Sequence, residues 1–215
     1  MKSQADIQAI IDGLKELYPD AECSLDYRKD YELLFSVRLA AQCTDARVNL
    51  VTPALFTRYP TLEAFAAADV DEVGQYVHST GFWRAKARDM VACAKMLLER
   101  FDGKVPDNMD DLLSLPGVGR KTANVVMSCA FGADAIAVDT HVFRVSNRLG
   151  LADANDVLKT EHQLMENIPK DKWSLAHHWI IFHGRRVCAA RKPACESCTL
   201  SSWCEYAAGN PKNKK

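Results

Sequence analysis

The chain has 215 residues, of which 48% are hydrophobic, so it is long enough to bury one or two hydrophobic cores. Its formal net charge is −1, and the overall charge therefore gives no support to binding of an anionic polymer. No apolar run is long enough to cross a bilayer, and polar residues interrupt the first helical stripe, which argues against a signal peptide. These features predict a prokaryotic cytoplasmic protein.

Apolar residues repeat at helical spacing along almost the whole chain. An amphipathic helix is predicted from Met1 to Leu17, and alternating strand patterns are absent. The sequence therefore predicts an all-α fold, followed by a disordered tail over residues 210–215. The other helical stripes lie at Tyr31–Phe35, Val48–Phe56, Met90–Phe101, Val142–Leu149, Leu158–Leu164 and Trp173–Phe182.

Residues 107–132 have the pattern of two helices joined by a tight turn. The run Pro106-Asp107-Asn108 provides a helix start, and Leu-Pro-Gly-Val-Gly, residues 115–119, ends that helix before a second begins near Arg120. Leu115, Gly117 and Gly119 are candidate phosphate contacts, because such a turn exposes backbone N–H groups at the positive end of the next helix. The alternative is a helical hairpin without a ligand.

Four of the eight cysteines lie within seventeen residues, and the other four are scattered among apolar stretches. In a reducing cytoplasm, the clustered set Cys188, Cys195, Cys198 and Cys204 indicates a metal site rather than disulfides. Only one C-x-x-C pair occurs, whereas four-cysteine zinc sites usually contain two, so the spacing favours a [4Fe–4S] cluster over zinc.

Charge is unevenly distributed despite the nearly neutral total. Residues 63–72 hold four acids and no base, whereas residues 183–193 hold four bases and no acid. Arg191 and Lys192 lie between the first two clustered cysteines, so that loop is predicted to contact phosphate groups.

The hairpin followed by Arg120-Lys121-Thr122-Ala123 resembles the helix–hairpin–helix of the endonuclease III family of DNA glycosylases. The segment Val138–Val145 and the four-cysteine loop resemble the other two signatures of that family, and the likeness extends from about Tyr31 to Tyr206. The resemblance implies a base-excision-repair enzyme that removes oxidised pyrimidines and cuts the strand at abasic sites. Its cofactor would be a [4Fe–4S] cluster.

The resemblance assigns the chemistry to Lys121 and Asp139. Lys121 would displace the damaged base and form a Schiff base with the sugar, from which β-elimination follows. Asp139 would stabilise the cationic sugar and assist proton transfer. The alternatives are a solvated surface lysine and a helix cap, and a cap is compatible with catalysis because its side chain is rigidly positioned.

Access to a base in a duplex requires that the base be flipped out and the hole filled. By resemblance, Gln42 is the polar residue that takes the place of the flipped base. A second wedge is expected around Gly81, where Thr80 and Phe82 depart from the bulky aliphatic residues that are common in the family. Phe82 could wedge or stack, whereas Thr80 is a weak substitute.

The resemblance also implies the architecture and the partners. A six-helix barrel domain, residues 23–133, would hold the hairpin, and a discontinuous domain, residues 1–22 and 134–215, would hold the cluster. Double-stranded DNA with a damaged pyrimidine or an abasic site would bind in a cleft between them. The protein is expected to act as a monomer, associated with the nucleoid.

Three other functions are compatible with part of the sequence. An adenine glycosylase of the same superfamily needs a carboxylate on the helix before Gln42 and lacks the hairpin lysine, but residues 33–44 contain no acid and Lys121 is present. A non-enzymatic iron–sulfur protein could use the hairpin and the basic loop to bind DNA, although Lys121 and Asp139 would then be surplus. The third is a zinc-dependent regulator.

Overall fold

The computed structural model describes residues 2–209, and within that range no residue lies in a β-strand. The all-α prediction is confirmed. Met1 and the tail predicted to be disordered, residues 210–215, lie outside the described residues. The α-helices are α1 (Gln4–Leu17), α2 (Asp30–Leu39), α3 (Asp45–Arg58), α4 (Leu62–Ala66), α5 (Val70–Val77), α6 (Trp83–Phe101), α7 (Met109–Ser114), α8 (Arg120–Phe131), α9 (Thr140–Leu149), α10 (Val157–Asn167) and α11 (Trp173–Arg186).

Side-chain caps set where most of these helices begin. The capping side chains accept a hydrogen bond from the backbone N–H three residues later, which satisfies one of the free N–H groups of the first turn. The first helix begins at Gln4 rather than at Met1, because Ser3 caps it by accepting from the N–H of Asp6. The capping residues are Ser3, Thr44, Thr61, Asp69, Asn108, Asp139 and Asp156.

The chain divides into two compact units. The first, Ser24–Gly132, contains α2 to α8 and is called the hairpin unit. The second joins Met1–Cys23 to Ala133–Lys215, contains α1 and α9 to α11, and is called the cysteine unit. The described part of the hairpin unit contains seven α-helices, of which α4 and α7 are short and begin after the caps Thr61 and Asn108.

Aromatic side chains form the centre of the hairpin-unit core. Phe35 of α2 and Phe65 of α4 are buried and meet edge to face, with ring centroids 4.9 Å apart. Tyr59 packs 5.2 Å from Phe65 on another side. Aromatic pairs in this geometry add about 0.5–1.5 kcal/mol beyond the area that they bury.

The core of the cysteine unit lies between its four helices. Ile10 of α1, Val142 of α9, Leu164 of α10 and Trp179 of α11 are all buried in it. Leu200 belongs to the same core and is fully buried. It lies in the segment that contains the four clustered cysteines, residues 188–204, which is called the cysteine loop. The loop is therefore anchored to the helices by apolar packing. No helix within the described residues is long and apolar enough to span a membrane.

Candidate active site and cysteine centre

The predicted hairpin is formed by α7, the turn over residues 115–119, and α8. The Oδ1 of Asn108 accepts from the N–H of Asp111 to cap α7, and Leu115 leaves the helix in an extended conformation. Gly117 has φ +75°, a left-handed value that favours glycine, and Gly119 is the extended N-cap of α8. The first backbone N–H groups of α8 have no carbonyl partner in their own helix, so they can bind an anion.

Gly117 lies directly against an ion pair that links α2 to α6. Arg38 donates from Nε and Nη2 to Asp89 Oδ2, at 3.0 and 2.7 Å. A Cβ atom on Gly117 would lie 2.8 Å from Arg38 Nε and from Asp89 Oδ2, which is closer than real Cβ contacts. The turn therefore packs against this ion pair. The sequence patterns did not reveal this contact.

Lys121 is exposed in the first turn of α8, directly after the turn. Lys121 therefore belongs to the first turn of α8, whose backbone N–H groups lack a carbonyl partner in that helix. Leu115, in contrast, is only 3% exposed. Any contact that Leu115 makes with DNA must come from its backbone.

Asp139 is half-buried and caps α9, with Oδ1 accepting from the N–H of Val142 at 2.7 Å. This is the capping role considered from the sequence. The hydrogen bond fixes one carboxylate oxygen. His141 is packed, with Nδ1 3.2 Å from Arg144 Nη2 and the ring against Gly184.

The two candidate DNA-inserting segments both contain a strained residue. Gln42 is exposed in the turn between α2 and α3 with φ +55°, and Phe82 is the N-cap of α6, with φ +47°, and is 68% exposed. Left-handed backbone at a residue other than glycine costs about 1–3 kcal/mol and is concentrated at functional sites. Thr80 is different: its side chain is 2% exposed and donates to the carbonyl of Val77 at 2.8 Å. A direct contact between the Thr80 side chain and DNA does not fit this burial.

Lys86 is a buried lysine that the sequence analysis missed. It is fully buried on α6, and Nζ donates to the carbonyls of Leu39 and Thr80 at 2.8 and 2.7 Å. Burial lowers the pKa of this amine from its ordinary value. In the sequence, the only sign that Lys86 is buried is its spacing: it lies four residues before Met90, on the same face of the amphipathic helix.

The four clustered cysteines line one cavity of about 320 Å³, part of which is open to solvent. None of them forms a disulfide. Within residues 2–209, no three cysteine, histidine or acidic side chains come close enough together to hold a single metal ion. His183 is also at the cavity, with Nε2 3.6 Å from Cys198 Sγ. Burial raises the pKa of the Cys198 and Cys204 thiols.

Two arginines of α9 donate hydrogen bonds to backbone carbonyls at the start of the cysteine loop. The sequence patterns did not identify them. Arg144 donates from Nη2 to the carbonyls of Gly184 and Cys188, at 3.0 Å each. Arg148 donates from Nη1 to Ala189 O at 2.7 Å and lies 3.4 Å from Cys188 Sγ. The helix that begins at Asp139 thus also holds the loop in place.

Arg191 and Lys192 are exposed in the loop between Cys188 and Cys195. Lys192 has φ +52°, a left-handed value. Both charges therefore face solvent in the manner needed for phosphate contact. The backbone that carries them is fixed near its base by the bonds from Arg148 to Ala189 and Ala190.

Comparison with known proteins gives matches over nearly the whole chain. Residues 35–170 match the profile of the HhH-GPD superfamily, described as base excision DNA repair proteins. The chain is 53% identical over 195 residues to endonuclease III of Synechocystis sp., which covers 90% of this chain and 89% of that protein. It is 47% identical over 210 residues to endonuclease III of Bacillus subtilis, with 97% and 95% covered.

A solved structure matches equally well. A trapped endonuclease III–DNA covalent intermediate, an estranged-adenine complex, has a TM-score of 0.93 and 47% identity, covering 97% of this chain and 99% of that chain. The hairpin and the segment Val138–Val145 both fall within the profile match. The chain therefore belongs to the endonuclease III family within the HhH-GPD superfamily, and it is a DNA glycosylase and abasic-site lyase of base excision repair, as its motifs predicted.

Proposed function

We propose that this enzyme removes oxidised pyrimidines from double-stranded DNA and cleaves the resulting abasic site, with Lys121 as the nucleophile. The observation that carries the proposal is the exposure of Lys121 in the first turn of α8, beside the N–H groups of the hairpin. A group at this position reaches the sugar next to a phosphate bound by the turn. The similar endonuclease III was trapped as a covalent intermediate with DNA, which is consistent with a nucleophilic side chain.

The proposed reaction begins with the neutral amine of Lys121. Its nitrogen forms a bond to C1′ of the damaged nucleotide, and the bond from C1′ to the base breaks, so that the base leaves with the electron pair and takes up a proton. Opening of the sugar ring gives an iminium ion. Loss of a C2′ proton then expels the 3′ phosphate by β-elimination, and water hydrolyses the imine to regenerate the lysine.

Asp139 is proposed to stabilise the positive charge that develops on the sugar and to assist proton transfer. An anion close to a developing cation lowers the barrier most when it is already in place. The N–H of Val142 fixes the carboxylate in advance, because it donates to Asp139 Oδ1 at 2.7 Å. The other carboxylate oxygen can then act on the substrate.

Gln42 and Phe82 are proposed to enter the duplex when the damaged base flips out. Gln42 offers amide donors and acceptors to the orphan base, and the exposed ring of Phe82 offers a surface on which a base can stack. Thr80 is assigned no direct contact because its side chain is buried. Its role is to shape the turn that leads to Phe82.

The four cysteines of the loop are proposed to hold a [4Fe–4S] cluster. The residues fit this group: four thiols line one cavity, none is in a disulfide, and they are too far apart to share a single ion. In a four-iron cluster each thiolate binds a different iron atom, so the sulfur atoms lie farther apart than around zinc. When bound, the cluster would supply a fixed framework for the loop rather than reaction chemistry.

The loop so fixed is proposed to place Arg191 and Lys192 on the DNA backbone. Each charge that pairs with a phosphate releases a bound counterion, which favours binding at low salt. Because one chain contains every group that the reaction needs, we propose that it acts as a monomer. Its substrate in a prokaryotic cell is the DNA of the nucleoid.

Borohydride trapping tests the nucleophile. Reduction of the iminium ion should link wild-type protein covalently to a duplex that contains an oxidised pyrimidine or an abasic site. Lys121→Ala should give no adduct, because it has no amine at this position. Lys95→Ala removes an exposed lysine of α6 and should be trapped like wild type. An adduct of normal yield with Lys121→Ala would rule out this residue.

Metal analysis tests the cluster. The purified protein should contain four iron and four sulfide per chain and absorb visible light. Cys204→Ser should lose this iron, whereas Cys93→Ala, which changes a buried thiol of α6, should keep it. A colourless wild-type protein with stoichiometric zinc would contradict the assignment.

A further inference from the structure

Lys86 is hydrogen-bonded to both segments that lead to the candidate wedge residues Gln42 and Phe82. Its side chain is 0% exposed, and Nζ donates to the carbonyl of Leu39 at 2.8 Å and to that of Thr80 at 2.7 Å. Leu39 is the last residue of α2, and Thr80 is the last residue of the 3-10 turn before α6. One ammonium group therefore holds two backbone segments that are far apart in the sequence.

Each of these carbonyls lies just before a left-handed, exposed residue. Gln42, with φ +55°, follows Leu39 by three residues, and Phe82, with φ +47°, follows Thr80 by two. Lys86 also bonds through its backbone, since its N–H donates to the carbonyl of Phe82 at 3.1 Å. Lys86 is thus hydrogen-bonded close to both candidate wedges.

A contribution to folding stability alone does not explain why a lysine is buried at this position. Both hydrogen-bond acceptors are neutral carbonyls, so they only partly offset the cost of removing an ammonium ion from water. Burial lowers the pKa of Lys86, and the nearby charge of Arg38 lowers it further, whereas Cys43 acts in the opposite direction. A buried apolar side chain would avoid this cost but could not bind the two carbonyls.

We propose that Lys86 is a positioning residue, which holds the Gln42 turn and the Phe82 turn at a fixed separation so that both can enter the duplex together. The inference rests on the proposed roles of Gln42 and Phe82 as wedges. Its physical basis is preorganisation: segments ordered before binding lose less conformational entropy when they enter the DNA. Without the ammonium group, two buried carbonyls lose their partner and the two turns can move apart.

The experiment compares Lys86→Met with wild type on two kinds of DNA. The first is a duplex with an uncleavable abasic-site analogue opposite 2-aminopurine, whose fluorescence rises when the base is unstacked. The second is single-stranded abasic DNA, which needs no wedge. Lys86→Met should reduce duplex opening by about tenfold to a hundredfold, the size of effect that an ångström-scale misplacement produces. Strand cleavage of the single-stranded substrate should change by less than about threefold, because Lys121 and Asp139 are untouched.

Lys95→Met is the matched control, because Lys95 is on the same helix but exposed. It should behave as wild type on both substrates. Equal behaviour of Lys86→Met and Lys95→Met on the duplex would overturn the proposal. An equal loss on the duplex and on single-stranded DNA would also overturn it, because that pattern indicates a general structural defect.

A variant cycle separates this proposal from the wedge roles themselves. Gln42→Ala combined with Phe82→Ala should strongly reduce duplex opening without abolishing it, and adding Lys86→Met should then cause no further loss of the opening that remains. If the wedge variants open the duplex normally, the proposed roles of Gln42 and Phe82 fail. If the wedge variants do reduce opening, and Lys86→Met reduces it further by the same factor as in the wild-type background, the roles of Gln42 and Phe82 are supported and the positioning role of Lys86 fails.

Lys86→Gln provides a second route if Lys86→Met does not fold. Its shorter amide keeps N–H donors but cannot span both carbonyls, and its matched control is Lys95→Gln. Duplex opening should again fall at least severalfold while single-stranded cleavage is kept. Opening at the level of Lys95→Gln would contradict the proposal.

Discussion

At the scale of single residues, Asp139 combines two roles that sequence patterns cannot separate. Its Oδ1 caps α9 by accepting from the N–H of Val142, and the proposed chemistry uses the same carboxylate. Capping needs only an oxygen acceptor, whereas stabilising a cationic sugar needs a negative charge. The two roles can therefore be separated by a substitution that keeps the oxygen and removes the charge.

Asp139→Asn is that substitution, since asparagine caps helices about as well as aspartate. The free energy of unfolding should change by less than about 0.5 kcal/mol, whereas Asp139→Ala should lose about 1 kcal/mol. Base removal should fall by about 10²- to 10⁴-fold in both variants. Denaturant unfolding and single-turnover glycosylase assays measure the two effects. Full activity of Asp139→Asn would exclude the electrostatic role.

At the scale of elements, the hairpin depends on a close approach of backbone to side chain. Gly117 combines φ +75° with contact against Arg38 and Asp89, so the turn is fixed both by its own backbone and by the pair beneath it. Gly119 has an ordinary extended φ of −104°, and a Cβ there would meet nothing within 4 Å. The two glycines of one turn thus have different structural roles.

Gly117→Ala should destabilise the hairpin unit by about 1–3 kcal/mol, because its Cβ adds left-handed strain and collides with the Arg38–Asp89 pair. Gly119→Ala is the matched control and should cost less than about 1 kcal/mol. Thermal or denaturant unfolding measures both values. Equal destabilisation by the two substitutions would show that the close approach at Gly117 is unimportant.

The helix α9 joins two proposed functions within the cysteine unit. Asp139 caps its first turn, and in the turns that follow, Arg144 and Arg148 bind the carbonyls of Cys188 and Ala189. Movement of the loop would therefore be transmitted to the helix that orients Asp139. The cysteine loop is thus connected through α9 to the residue proposed to assist the reaction.

At the scale of the whole molecule, a net charge of −1 coexists with a basic loop, because acids and bases are segregated along the chain. Two histidines of α11, the half-buried His178 and the buried His183, add a dependence of stability on pH. The pKa of His178 on α11 is lowered to about 4, mainly by burial and further by the charge of Arg185. Burial lowers the pKa of His183 to about 4 as well, although this ring contacts Cys198.

The cysteine unit should therefore lose stability in mild acid. The unfolded chain protonates His178 near its ordinary pKa of 6.5, whereas the folded protein does so only near 4. The stabilisation is complete above about pH 6.5 and is lost as the pH falls towards about 4, at a cost of about 1–2 kcal/mol by pH 5. His178→Gln should reduce this loss, measured by denaturant unfolding at both pH values.

His162→Gln, which changes an exposed histidine of α10, is the control for this measurement. It should leave the loss of stability between pH 7.5 and pH 5 close to that of wild type. If His178→Gln and His162→Gln give the same pH dependence as wild type, the half-buried ring of His178 does not contribute.

The helices and the hairpin turn could be predicted because their signals are local. Asn108 and the Pro-Gly-Val-Gly run act through hydrogen bonds and backbone angles within a few residues. The start of α8 at Arg120 was predicted correctly for this reason. The first helix was predicted from Met1 but begins at Gln4, because the apolar stripe does not show which polar residue caps it.

The all-helical class, the family, and the candidates Lys121, Asp139 and the cysteine loop could be read from periodicity and short motifs along the chain. Which of the other residues face solvent, and which contact the candidate site, became visible only once the helices were packed together. Thr80 and Leu115 turned out to be buried, whereas Lys86 binds a carbonyl 47 residues away and Arg38 binds an acid 51 residues away. Such contacts depend on how the helices pack, and no local pattern encodes them.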